Sequence, residues 1–102
     1  MKITITARQF TASDQLREYT EKNVSKLSRF FDRITEIEVI FAPFEDDSKP
    51  QSVEMIVRVP NNVLIAKEYE LTYEKAVKSG VDNLTRQLKK YKDKKNNWLS
   101  FV

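Results

Sequence analysis

The ten residues from Arg86 to Lys95, Arg-Gln-Leu-Lys-Lys-Tyr-Lys-Asp-Lys-Lys, carry six cations and one anion. Side chains of this type at this density do not transfer protons at neutral pH. They attract polyanions, phosphate chains above all, by displacing condensed counterions. The rest of the chain holds twelve cations against fourteen acids, so the net charge of +3 conceals a slightly acidic body with one intensely basic segment. Such a pole steers partners by long-range attraction.

The residues that usually run enzymatic chemistry are missing. There is no histidine and no cysteine, which removes imidazole and thiolate chemistry together with the commonest metal ligands. Gly80 is the single glycine, so no glycine-rich loop is present to cradle a phosphate. Glu45, Asp46 and Asp47 lack the spacing and the glycine of a calcium loop. These absences predict a protein that is not an enzyme and needs no cofactor and no metal. No apolar run approaches the length of a membrane span, and the start Met-Lys-Ile-Thr-Ile-Thr-Ala-Arg lacks a signal-peptide core. A cytoplasmic location is expected, with no membrane partner.

The elements that must position the cations follow from periodicity. At 102 residues the chain is one domain with a modest core. Residues 2–8 alternate, with Ile3, Ile5 and Ala7 on one face, as a half-buried strand does. Ser13 reads as an N-cap with Asp14 in the first turn. From there to about Phe31, Leu16, Tyr19, Val24, Leu27, Phe30 and Phe31 gather on one side of a helix. Residues 35–42 alternate again through Ile37, Val39 and Phe41, and residues 52–60 through Val53, Met55, Val57 and Val59. Pro60-Asn61-Asn62 signals a turn. A last strand from Val63 to about Tyr69 has two possible facings, Leu64 and Ala66 inward or Ile65 and Tyr69 inward. A helix from near Thr72 to about Lys95 shows the stripe Tyr73, Val77, Val81, Leu84, Leu88 and Tyr91.

The order is β-α-β-β-β-α, an α+β fold. A right-handed crossover makes the first two strands parallel, and short links make the last three a meander. Both helices need a surface for their apolar stripes, so both pack on one face of a four-stranded mixed sheet and the other face stays open.

On the last helix, Lys89, Lys90 and Lys94 fall within about 80° of Arg86 on a helical wheel, directly opposite Val77, Leu84 and Leu88, and Lys75 and Lys78 extend the stripe. Lys92 points sideways. From Lys75 to Lys94 the stripe is roughly 28 Å long, enough to follow several phosphates. A solvated surface helix also shows lysines, and cations suit a helix C-terminus. Such a face normally mixes signs, however, and here Asp82 and Asp93 are the only acids on it. Lys22, Lys26, Arg29 and Arg33 share a sector of about 60° if the first helix extends that far. Two basic ridges on one side of a sheet predict a broad cationic surface. The absence of an outward set of base-reading side chains predicts recognition of RNA shape and backbone, rather than of DNA sequence.

The two helical segments, Leu-Arg-Glu-Tyr-Thr-Glu-Lys-Asn-Val-Ser-Lys-Leu-Ser-Arg-Phe-Phe-Asp-Arg-Ile and Ala-Val-Lys-Ser-Gly-Val-Asp-Asn-Leu-Thr-Arg-Gln-Leu-Lys-Lys-Tyr-Lys-Asp-Lys, resemble those of the ribosome hibernation promoting factor family. The similarity covers about residues 1–95. Near the start of the second helix, where Thr72-Tyr73-Glu74-Lys75 stands, only Ala76 keeps the family pattern. The resemblance implies a β-α-β-β-β-α domain similar to double-stranded-RNA-binding domains. It also implies binding to the small ribosomal subunit and its rRNA, in the channel of mRNA and tRNA, with translation silenced under stress or in stationary phase. Carried over by position, the rRNA contacts are Lys26 and Arg33 on the first helix and Arg86, Lys90, Lys92 and Lys94 on the second. Arg29 and Lys89 join them from the wheel alone.

Two features lie outside this site. Ile40 and Ile56 share the open sheet face with Glu36, Glu38 and Glu54, for which Arg8 or Arg58 are cross-strand partners. The domain is expected to occupy residues 1–95, followed by the apolar tail 96–102, which includes Trp98, Leu99, Phe101 and Val102. Either the open face or this tail would serve a weak homodimer.

Overall fold

A computed structural model of the chain describes residues 1–93 in full and residues 94–100 as helical backbone. Four strands, β1 (Lys2–Ala7), β2 (Glu36–Pro43), β3 (Gln51–Val59) and β4 (Asn62–Glu70), form one sheet in the order β1-β2-β3-β4. β1 and β2 are parallel, and β2, β3 and β4 are antiparallel in turn. Three helices, α1 (Asp14–Val24), α2 (Lys26–Phe30) and α3 (Tyr73–Ser100), complete the α+β domain. The predicted topology is the one observed. α3 runs beyond the expected end near Lys95, to Ser100. The expectations placed on the side chains of Lys94 and of the tail 96–102 fall outside the described residues.

Alternation sets the two faces of the sheet. Ile37, Val39, Phe41, Val53, Met55 and Val57 are fully buried and, with Leu64 and Ala66, face the helices. Ile65 is 52% exposed on the other side, so the first of the two β4 facings is the real one. The choice follows from pairing: Leu64 lies opposite Val57 and Ala66 opposite Met55, and a strand out of step by one residue would turn both outward. The β3–β4 hairpin closes through Pro60 and Asn61, with Asn61 at φ 64°. Asparagine tolerates this left-handed conformation better than most residues.

Side-chain caps start α1 and α3, at Ser13 as the sequence predicts and at Thr72. The Ser13 Oγ accepts from the Leu16 N–H at 3.1 Å, and the Thr72 Oγ1 accepts from the Lys75 N–H at 3.2 Å. Just before α1, Gln9 adopts φ 67°, a strained conformation for this residue type. It leads into Phe10, whose ring stacks on Tyr73 at 4.8 Å, and Tyr73 meets Phe41 edge-on at 5.2 Å. Burial raises the Tyr73 phenol above its ordinary pKa of 10.0.

One expectation needs correction. The first helix is not continuous to Phe31: it breaks at Ser25, and α2 follows at once. Local side-chain hydrogen bonds compete with the helical ladder there. The Asn23 amide donates to the Tyr19 carbonyl at 2.7 Å, the Ser25 hydroxyl to Glu21 at 2.6 Å and the Ser28 hydroxyl to Ser25 at 2.7 Å. The Ser28 N–H also bonds three residues back, to the Ser25 carbonyl, at 3.2 Å. Phe31 then turns extended, so Arg33 lies in a turn and not on a helix.

Gly80 lets α3 approach the sheet. A Cβ at this position would lie 2.7 Å from the Met55 Sδ, inside van der Waals contact. Gly80→Ala should gain about 1 kcal/mol in helix propensity and lose about 1–3 kcal/mol to overpacking. We expect a net destabilisation in urea unfolding. Met55→Val should relieve the clash, so that alanine at position 80 stabilises in that background.

Candidate nucleic-acid interface

Strand directions fix where the two basic ridges meet. α1 and α2 return from the end of β1 to the start of β2, so they run against β1. Since β4 is antiparallel to β3, which is antiparallel to β2, it runs in the same direction as β1. α3 returns from the end of β4, so α2 and the later half of α3 arrive at the same end of the sheet.

Aromatic contacts seal that meeting. The Lys89 Nζ lies 5.7 Å from the centre of the Phe30 ring, and Phe31 meets Tyr91 edge-on at 5.5 Å. The Tyr91 hydroxyl donates to the Pro60 carbonyl at 3.1 Å, tying α3 to the β3–β4 turn. These contacts bring α2 alongside Lys89 and Lys90. Arg33 sits just beyond, in an exposed turn held by buried Phe31 and Ile34 on either side.

The predicted residues divide as follows. Lys26 and Arg29 are exposed on α2, Arg33 is exposed in the turn, and Arg86, Lys89, Lys90 and Lys92 are exposed on α3. None of these seven forms an ion pair with a carboxylate among the described residues. The hydrogen bond from the Lys26 Nζ to the Asn23 Oδ1, at 3.4 Å, is long and neutral in its acceptor. Lys94 continues α3 one turn beyond Lys90, and its side chain lies outside the described residues. Lys22, on the last turn of α1, is also exposed at this end.

The acids of the helical side lie mostly at the opposite end. Asp14 and Glu74 occupy the first turns of α1 and α3, where the helix dipole favours them, and Glu18 follows one turn later. Asp32 and Asp93 lie among the clustered cations, and exposed Asp82 lies one turn before Arg86 on α3. On the open sheet face, Arg58 reaches Glu38 at 3.4 Å and Glu36 at 3.8 Å, so its charge is answered locally. The alternative partner, Arg8, pairs with neither.

The amides near the basic end are spoken for. Gln87 donates to the Ile65 carbonyl at 2.9 Å and to the Asn83 Oδ1 at 2.8 Å, and Asn83 donates to the Glu68 carboxylate at 3.1 Å. Base reading by these side chains would require breaking structural bonds. The sequence reading passed over Gln87 and Asn83; their spacing of four on α3, beside the apolar stripe, was the available signal. In the 44–50 loop, hydrogen bonds from Ser48 hold the Asp46 carboxylate below its usual pKa. Among the described residues no cluster of three acids is placed to hold a metal. No helix among them is long and apolar enough to cross a membrane.

The chain is thus an α+β domain with exposed cations from α2, the following turn and α3 at one end of its sheet. Residues 3–96 match the family model described as sigma 54 modulation protein / S30EA ribosomal protein, and the chain belongs to this family. It is 36% identical to a ribosome hibernation promoting factor from Azotobacter vinelandii, over 92% of this chain and 85% of that one. The solved structure of a ribosomal subunit interface protein from Coxiella burnetii superposes with a TM-score of 0.81 at 30% identity, over 91% of this chain and 99% of that one. The N-terminal domain of Protein Y from Thermus thermophilus superposes with a TM-score of 0.76 at 25% identity, over 89% and 99%.

Tyr91 is the last described anchor of α3, one turn past the buried Leu88. Tyr91→Ala removes both the ring contact with Phe31 and the bond to Pro60. Hydrogen exchange should then quicken about tenfold at the amides of residues 89–93 while remaining slow at Leu84.

Proposed function

We propose that this chain is a ribosome hibernation factor that binds the small ribosomal subunit through its rRNA, in the channel used by mRNA and tRNA, and so inhibits translation under stress or in stationary phase. The observation that carries the reading is the convergence of exposed cations, none in an ion pair among the described residues, from α2, the following turn and α3 at one end of the sheet. The names of the relatives point to the ribosome, and the charge points to its RNA.

The mode of binding follows from the side chains. Lysines and arginines without a carboxylate partner can neutralise phosphates and release the cations condensed on the nucleic acid. Gln87 and Asn83 are engaged within the fold, so the surface recognises backbone and shape more than base sequence. Occupying the channel requires no turnover, and the protein acts as a plug rather than an enzyme. Its place of action is the cytoplasm. Lys26, Arg29, Arg33, Arg86, Lys89, Lys90, Lys92 and Lys94 are the proposed RNA contacts.

Co-sedimentation with small subunits across a salt series tests this. Binding should weaken steeply with salt, with a log–log slope of about −0.7 to −0.9 per phosphate contacted. The triple variant Arg86→Glu, Lys89→Glu, Lys90→Glu changes only exposed side chains, so its helical circular dichroism should match that of the parent. It should lose ribosome binding, inhibition of translation and much of the salt slope. A triple variant that still inhibits translation overturns the site. Wild-type binding that is indifferent to initiator tRNA, but displaced by any RNA duplex, would instead mark a general double-stranded-RNA-binding module of the same fold.

A further inference from the structure

We infer that the outer edge of β1 is a strand-addition site for an extended protein segment that carries two carboxylates six residues apart. The inference does not depend on what the helical side binds.

The backbone of β1 supplies the bonding groups. In the parallel ladder the Lys2 N–H donates to the Thr35 carbonyl at 3.2 Å, and the Arg8 N–H donates to the Phe41 carbonyl at 2.8 Å. Successive residues of a strand turn their N–H and C=O groups to opposite edges. Lys2, Thr4, Thr6 and Arg8 therefore bond toward β2, while Ile3, Ile5 and Ala7 point away from it. β1 ends the sheet on this side, and no described residue bonds to those outward groups. On the other margin the Ile65 carbonyl of β4 accepts from Gln87 at 2.9 Å. The side chains of Ile3, Ile5 and Ala7 are half-buried against the core, so apolar residues on an added strand would continue the face beneath the helices.

The side chains on the open face of β1 select the occupant. Lys2 opens the strand and Arg8 follows its end, with Thr4 and Thr6 between them and no acid. Both cations are exposed, and neither forms an ion pair among the described residues. Glu36, beside Lys2 in the ladder, is engaged by Arg58 at 3.8 Å. A rise of about 3.3 Å per residue sets Lys2 and Arg8 roughly 20 Å apart. Gln9, at φ 67°, ends the extended run just beyond Arg8. An antiparallel strand that matches this edge has carboxylates at its first and seventh positions, facing Arg8 and Lys2. Its second, fourth and sixth residues are apolar, and its third and fifth are uncharged.

A second copy of β1 does not meet that description. With Ile5 on a two-fold axis, Lys2 of one copy faces Arg8 of the other. Moving the axis by one residue in either direction leaves the two as diagonal neighbours, and like charges so placed repel. A nucleic acid lacks the alternating donors and acceptors of a strand, and so cannot use the outward backbone groups.

Amide exchange followed by NMR, with the end-blocked peptide Glu-Val-Thr-Val-Thr-Val-Glu as probe, is the test. In the free protein the Ile3, Ile5 and Ala7 amides should exchange faster than those of Thr4 and Thr6. At nine-tenths saturation the peptide should slow those three about tenfold and change Thr4 and Thr6 far less. The double variant Lys2→Glu, Arg8→Glu should bind the peptide about tenfold more weakly, and a peptide with lysine at both ends should prefer that variant to the parent. Ala7→Pro removes one outward N–H while leaving the β1–β2 ladder intact, and should also weaken binding. The charge swap, confined to exposed side chains, guards against a folding defect in the proline variant. The triple variant Arg86→Glu, Lys89→Glu, Lys90→Glu should bind the acidic peptide as the parent does. Unchanged exchange at Ile3, Ile5 and Ala7 in millimolar peptide overturns the inference. Equal protection of the parent by the lysine-ended peptide overturns it too, as does an acidic peptide captured only by α2 and α3.

Discussion

Everything at the basic end depends on one constraint: the chain enters both helical runs from the same end of the sheet. The parallel β1–β2 crossover and the β2–β3–β4 meander together make α1 and α3 run in the same direction. Had β4 been absent, the last helix would have started from the opposite end and carried its lysines away from α2. Topology, rather than any single contact, turns two ordinary amphipathic helices into one charged surface.

Gathering like charges this way works against folding. Seven exposed cations with no described ion pair repel one another, and the repulsion grows as salt is lowered. The fold opposes it with apolar and aromatic contacts at the same place. Leu27 and Leu88 are buried beneath the surface, Phe31 packs on Tyr91, and Lys89 rests over Phe30. A cation above an aromatic face is stabilised by the ring's quadrupole without being neutralised. Lys89 is therefore held in place while keeping the charge that a phosphate would meet. A polyanion bound there would remove the repulsion that the isolated protein tolerates, so stability and such binding would draw on the same charges.

Much of this was legible in the residues. The alternation of β2 and β3, the apolar stripe of α3 and the Ser13 and Thr72 positions determined the element order, because each pattern had a single reading. The strand β4 did not: Leu64, Ile65 and Ala66 satisfy either facing, and only pairing with Val57 and Met55 decides between them. The break at Ser25 was hidden for a related reason. Serine and asparagine sit acceptably in a helix, and whether their side chains turn back onto the backbone depends on how the neighbouring turn packs. The cationic residues were legible as types and spacings. Their convergence required knowing the strand directions, and the pairing of Arg58 with Glu36 and Glu38 required the register.

The bond from Gln87 to the Ile65 carbonyl has a consequence for the molecule's behaviour in crowded solution. β4 is an edge strand, and an edge strand offers its outward backbone groups to any extended segment that passes. Here one of those acceptors is already occupied by an amide from the helix above, with Asn83 and Glu68 bracing the arrangement. A foreign strand must first evict that amide before it can dock. Growth of the sheet by strand addition, the first step toward fibrous aggregates, is therefore resisted along this margin by a side chain placed on the adjoining helix.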